Sequence, residues 1–138
     1  MSRVGVLGTT SWGTTLGILL ARRGQEVTLW ARSEEEAHAL TQDQENKRLL
    51  PGVPFPSSFT ATANAESAFS NADLVILCTP SQRLRESLAG LRPYLQASTV
   101  LLSAIKGIEK GSGKRMTQII QEELPDVAES QLCVLSGP

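Results

Sequence analysis

The chain alternates between short apolar runs and longer segments with a single apolar face. Arg3-Val4-Gly5-Val6-Leu7 is a compact apolar run running into a glycine, and it reads as a buried strand. Residues 12–23 then place Trp12, Leu16, Leu19, Leu20 and Arg23 at three- and four-residue spacings, which predicts a helix with one apolar stripe. Gly24 ends that helix, as glycine does just past many helix C-termini. Glu26–Ala31 predicts a second strand, and Ser33 with Glu36 matches a capping box that opens a short helix. Pro51, Gly52, Pro54 and Pro56 exclude regular helix and central strand from residues 46–58. Phe59–Thr62 predicts a brief strand, and Asn64 can cap a short helix through Phe69. Asp73–Cys78 is a strongly apolar strand closed by Thr79-Pro80. Leu84, Leu88 and Leu91 mark one face of a helix over Ser81–Leu91. Thr99–Ile105 predicts another buried strand, Ser112–Leu124 a helix that stops before Pro125, and Gln131–Leu135 the last strand.

The strands do not alternate apolar and polar positions. Strands buried on both faces have this pattern, and they occur in parallel sheets covered by helices. About six strands and about five helices in alternation predict one α/β domain over residues 1–138. Its expected architecture is a doubly wound, mostly parallel sheet of the Rossmann type, with helices on both faces.

Composition narrows the function. Thirteen Lys+Arg stand against fourteen Asp+Glu in 138 residues, a formal net charge of −1. The basic residues are scattered, which argues against a nucleic-acid partner. Cys78 and Cys133 lie far apart within apolar runs and read as buried reduced thiols, not as a disulfide or a metal site. No apolar stretch is long enough to span a bilayer, and the N-terminus enters a strand directly without a leader pattern. The expectation is a cytoplasmic protein. His38 is the single histidine and reads as a surface helix residue, so chemistry needing a His pair is excluded.

In a doubly wound sheet, ligands bind at the carboxyl ends of the strands, where the strand order switches. The first strand leads into Gly8-Thr9-Thr10-Ser11-Trp12-Gly13. Against the dinucleotide fingerprint G-x-G-x-x-G, Gly8 and Gly13 match and Thr10 takes the place of the second glycine. Gly8 would make the tight turn, and Gly13 would let the helix pack close to the strand. The helix N-terminus would then offer N–H groups to a pyrophosphate. The end of the second strand reads Trp30-Ala31-Arg32-Ser33, with no acid to hold a ribose hydroxyl. Arg32 suits a 2′-phosphate instead, which favours NADP(H) while leaving NAD(H) possible. Ser33 could add a donor or serve only as a helix cap. Lys106 follows the strand Thr99–Ile105 and precedes Gly107, at the same carboxyl edge, where it can bind an anionic substrate or polarise a carbonyl. Gly111-Ser112-Gly113-Lys114-Arg115 imitates a P-loop, but Ile108 stands where its first glycine belongs and Arg115 where its Ser or Thr belongs. Lys114 and Arg115 are expected on a solvated helix face. No metal site is expected.

Five stretches together resemble the N-terminal half of the bacterial-type NAD(P)-dependent glycerol-3-phosphate dehydrogenases. They are Gly8–Leu16, Leu29–Arg32, Asn46–Val53, Ser103–Glu109 and Leu135–Pro138, in the family's order and at about its spacing. The resemblance spans the chain but less than half of a full member. It implies reduction of dihydroxyacetone phosphate to sn-glycerol 3-phosphate, feeding phospholipid synthesis. By position, Ser11, Trp12 and Arg32 would contact the cofactor. Leu49 stands where the family has an aromatic residue beside it. Lys106 would sit between cofactor and substrate, and Gly137 would touch the substrate through its backbone. Thr10 departs from the family's glycine and Ile105 from its threonine. The family's general acid is a lysine in a C-terminal helical domain beyond this chain, so the 138 residues alone are expected to bind cofactor without turnover. Homodimerisation of the full enzyme is expected mostly through that other half, which leaves room for a monomer here. Alternative readings are a non-catalytic nucleotide-sensing module and a 3-hydroxyacid or 6-phosphogluconate-type dehydrogenase domain.

Overall fold

The computed structural model describes residues 2–136. The chain runs β1 (Arg3–Leu7), α1 (Ser11–Arg22), β2 (Glu26–Trp30), α2 (Glu34–Asp43), β3 (Glu45–Asn46), β4 (Leu50–Pro54) and β5 (Phe59–Thr62). It continues through α3 (Ala65–Phe69), β6 (Leu74–Leu77), α4 (Leu84–Leu91), β7 (Val100–Ser103), α5 (Met116–Glu123) and β8 (Leu132–Val134). Six strands form one sheet in the order β5-β2-β1-β6-β7-β8. Every pairing within it is parallel. This is the doubly wound Rossmann arrangement that the apolar strands predict.

The chain fills one side of β1 first, then crosses to β6 and fills the other. The order therefore reverses between β1 and β6. Leu7 pairs with Trp30 on one side and with Leu77 on the other, and Leu77 pairs with Ser103. The carboxyl ends of the four central strands thus finish level, and the segments leaving them meet at one edge.

Strand pleating divides the interior in two. β1 sends Val4 and Val6 into a cluster with Ile18, Leu29 and Phe59, and Leu7 into a cluster with Phe69, Leu84, Leu88 and Ile119. Leu84, Leu88 and Leu91 are all buried, as their spacing predicts.

Several sequence expectations need correction. The buried face of α1 is Gly13, Thr14, Gly17, Ile18 and Ala21, while Trp12 and Leu19 are about half exposed. At Gly13 and Gly17 the helix comes too close to its neighbours for any side chain. A Cβ on Gly17 would come within 2.7 Å of the Phe59 ring, and one on Gly13 within 2.6 Å of the Gly8 carbonyl. Helix α5 starts at Met116, not Ser112. Gly111 and Gly113 take positive φ values of +88° and +68°, which no regular helix accommodates. Glu109 N–H donates to the Lys114 carbonyl at 2.9 Å, closing a turn. Lys114 therefore lies in that turn, and Arg115 at the N-cap of α5, not within a helix. Cys78 is buried, but Cys133 is exposed because β8 is the sheet's edge strand. The proline-rich segment stays out of the main sheet as predicted, but Leu50–Pro54 pairs antiparallel with Glu45–Asn46 in a small ribbon of its own.

Candidate functional site

A groove crosses the carboxyl edge at the switch point. It comprises two connected clefts of about 820 and 730 Å³ that share Thr10, Thr79 and Pro80. Arg32, Arg48 and Leu49 line the first cleft, and Trp12, Ile105 and Lys106 line the second. The N-terminus of α1 opens between them.

The turn before α1 is shaped by close backbone approach. Gly8 has φ +122°, and a Cβ there would lie 2.5 Å from the Cys78 carbonyl oxygen. Only glycine combines that dihedral with that contact. Thr10 is the N-cap, with an extended backbone at φ −67° that needs no glycine. Its hydroxyl donates to the Cys78 carbonyl at 2.9 Å and accepts from Gly13 N–H at 3.1 Å. The threonine that departs from the fingerprint therefore ties β6 to α1. The N–H groups of Ser11 and Trp12 occupy the first two positions of the 12-residue helix, which have no partner within a helix. No acidic side chain sits in that first turn, so nothing there competes with an anion for the helix's positive end.

Asn46 holds this turn from the other side, and sequence reasoning missed its role. It is buried, and its amide donates at 3.0 Å to both the Thr9 carbonyl and Thr14 Oγ1. Its Oδ1 accepts from Leu49 N–H at 3.3 Å. One side chain thus joins the Gly8–Gly13 turn to the segment carrying Arg48 and Leu49. An asparagine before a proline-glycine ribbon reads as a turn residue, and only the fold reveals its partners.

The sequence correctly finds no acid at the end of β2, but the first cleft contains one from farther along. Glu36, in the first turn of α2, lines the cleft with Arg32 and accepts from Arg32 N–H at 3.3 Å. Ser33 caps α2 by accepting from Glu36 N–H. Arg83 and Glu86 also line this cleft. Cys78 lies beneath the turn, and burial pushes its thiol up to about 12, so it stays neutral and serves as packing.

The structure brings Gly8, Thr10, Trp12, Arg32, Leu49 and Lys106 to the groove. Gly13 does not line it, being buried beneath Thr10 and Cys78, and Ser11 contributes a helix N-terminus rather than groove wall. Gly137 lies outside the described residues. Among the described residues, no group of three or more His, Cys, Asp or Glu side chains could hold a metal ion. No helix among them is long and apolar enough to cross a membrane. The donor set suits a dinucleotide: a helix end for a pyrophosphate, guanidinium groups on one flank and an ammonium on the other.

Comparison with known proteins agrees with this geometry. The chain is 46% identical over 140 residues to a glycerol-3-phosphate dehydrogenase [NAD(P)+] of Dehalococcoides mccartyi, covering 100% of the chain and 39% of that relative. It is 42% identical over 135 residues to the same-named protein of Pelodictyon phaeoclathratiforme, covering 98% of the chain and 40% of the relative. The chain thus spans well under half the length of these curated relatives. The crystal structure of glycerol-3-phosphate dehydrogenase from Coxiella burnetii superposes with a TM-score of 0.89 at 30% identity, over 99% of this chain and 41% of that one. A ketopantoate reductase from Ralstonia eutropha shares the fold at TM-score 0.68 and 23% identity, over 96% of this chain and 39% of that one. The family model for the N-terminus of NAD-dependent glycerol-3-phosphate dehydrogenase matches residues 3–138, and the chain belongs to that family.

Proposed function

We propose that this chain is the cofactor-binding half of an NAD(P)-dependent glycerol-3-phosphate dehydrogenase. In this reading the whole enzyme interconverts dihydroxyacetone phosphate and sn-glycerol 3-phosphate. The observation that carries the reading is the acid-free N-terminus of α1, open at the switch point between Arg32 and Lys106.

The helix end and the Gly8 turn receive the pyrophosphate, using the N–H groups of Ser11 and Trp12. Arg32 receives a 2′-phosphate, because a guanidinium can bond two phosphate oxygens at once. The Glu36 carboxylate in the same cleft can accept from a 2′-hydroxyl, so NAD(H) is admitted as the weaker ligand. Leu49 and Trp12 supply apolar walls. A bound nicotinamide supplies the hydride that reduces the ketone carbon. Lys106 holds the anionic substrate beside it, and its charge favours the negative charge growing on the ketone oxygen. The proton for that oxygen comes from a group outside this chain, so the chain alone binds cofactor and does not turn over. The full enzyme is a cytoplasmic homodimer that supplies glycerophospholipid precursors.

Calorimetric titration with NADPH and NADH tests the reading. NADPH binds more tightly to the unchanged chain, and Arg32→Ala weakens NADPH about tenfold while leaving NADH nearly unchanged. An unaltered preference in Arg32→Ala sinks the 2′-phosphate assignment. Turnover by the isolated chain at the rate of a full-length enzyme sinks the division of labour.

A further inference from the structure

We propose that Gln82, Arg85 and Glu109 form a clamp that positions Lys106 over the groove. The proposal rests on the reading of Lys106 as the substrate-holding cation. Lys106 lies between two anchored points. Before it, buried Ala104 donates its N–H to the Leu77 carbonyl at 3.0 Å. After it, Gln82 Nε2 donates to the Ile108 carbonyl at 2.9 Å, and Gln82 Oε1 accepts from Lys110 N–H at 2.9 Å. One amide thus brackets Glu109, whose carboxylate meets the Arg85 guanidinium twice, at 2.6 Å from Nε and 3.0 Å from Nη2.

Arg85 is itself fixed on α5. Its Nη1 meets Glu123 at 2.9 Å and its Nη2 meets Glu122 at 2.7 Å. Ser112 Oγ donates to Glu109 at 2.6 Å, and Lys114 pairs with Glu122. A two-armed contact fixes orientation as well as distance. The segment needs such fixing. Gly107, Gly111 and Gly113 all have positive φ, and added Cβ atoms on the last two would meet nothing within 4 Å. The turn bonds between Glu109, Gly113 and Lys114 order the tip of this loop, but they do not fix the loop against the sheet, and the glycines leave the backbone conformationally free. The clamp residues on α4 and its lead-in turn follow directly from Thr79 and Pro80, which line both clefts. Gln82 and Arg85 are therefore continuous in the chain with that part of the groove wall.

The test is a nuclear magnetic resonance titration of the chain, saturated with NADP+, with sn-glycerol 3-phosphate, together with amide hydrogen exchange. Gln82→Ala and Glu109→Gln each weaken binding about tenfold, since a small misplacement of a binding group is costly. In a Lys106→Ala background the same changes add less than about twofold, because their effect passes through Lys106. Exchange at Gly107, Ile108 and Lys110 quickens in Gln82→Ala, while β1 amides are unaffected. Arg85→Lys keeps the charge but loses the fork, and does not restore affinity. Equal losses in both backgrounds, or faster exchange without lost affinity, overturn the proposal. If Lys106→Ala leaves affinity unchanged, the reading of Lys106 fails. Unchanged exchange in Gln82→Ala fails the clamp itself.

Discussion

The two walls of the groove are built from different interactions. The wall proposed for the pyrophosphate, here the phosphate wall, rests on Gly8, Thr10 and Asn46: Gly8 and Thr10 close on the Cys78 carbonyl, and the Asn46 amide bonds Thr9 and Thr14, all through neutral hydrogen bonds or backbone contact. Asn46 is fully enclosed there, and Cys78 lies directly beneath. The lysine wall is a glycine-rich loop tied to α4 and α5 by partly exposed charges around Arg85. Neutral bonds in a closed setting resist salt and are costly to break. Exposed charges are screened by salt and adjust readily. The difference suits the parts proposed for each wall, one for a cofactor pyrophosphate and the other for a small anionic substrate.

The largest expected effect is at Gly8. Gly8→Ala combines a left-handed backbone with a Cβ 2.5 Å from a carbonyl oxygen. It is expected to cost about 3 kcal/mol or more, seen as a large fall in the urea midpoint and lost NADPH binding. A stable variant that still binds NADPH would show that the turn is not rigid. Next is Asn46→Leu, which leaves the Thr9 carbonyl without the Asn46 amide and is expected to cost about 2–3 kcal/mol. Its unfolding midpoint should fall equally in low and high salt. Arg85→Met should give a smaller loss of stability, which shrinks as salt rises.

The walls should also part company with pH. Arg85 and Ser112 hold the Glu109 carboxyl down to about 2 from its usual 4.5. Below 4.5 the unfolded chain takes up a proton that the folded chain refuses, so this contribution is full above 4.5 and fades as pH falls through about 2. Cys78 behaves in the opposite sense. Burial raises its thiol from 9.0 to about 12, so its contribution is full below 9.0 and fades as pH rises through about 12. Comparing urea midpoints of Glu109→Gln and Cys78→Ala with the unchanged chain across pH isolates each slope. Acid should remove the difference for Glu109→Gln. The Cys78→Ala comparison should change only in alkali.

The phosphate wall was the more legible of the two in the sequence. Gly8 and Gly13 announce it because a tight turn and a close helix approach leave a fixed spacing, although the neighbour both approach, Cys78, is distant in the chain. Arg32 and Lys106 are legible because each lies within three residues of the end of a recognisable strand. Asn46 and Arg85 are not legible there, because their partners lie on elements that meet only in the folded sheet, whereas Glu36 bonds Arg32 four residues away but reads only as part of a helix-capping box. The misplaced start of α5 has a similar origin: Ser112–Arg115 has ordinary helix-compatible composition apart from Gly113, and the turn that excludes it is closed by Glu109 and Lys114. The apolar stripe of α1 is only partly legible: Leu16 and Leu20 pack against the core, but Trp12 and Leu19 are about half exposed, and the most buried face includes Gly13, Thr14, Gly17 and Ala21 beside Ile18.

The most direct test of the account is a map of backbone amide shifts as NADP+ is added to the chain. Shifts concentrated at Gly8–Trp12, Arg32 and Lys106, with those at Arg32 markedly smaller when NAD+ replaces NADP+, are predicted. Binding that leaves the Gly8–Trp12 amides unmoved, or moves instead the opposite edge of the sheet around Arg3 and Glu26, would contradict it.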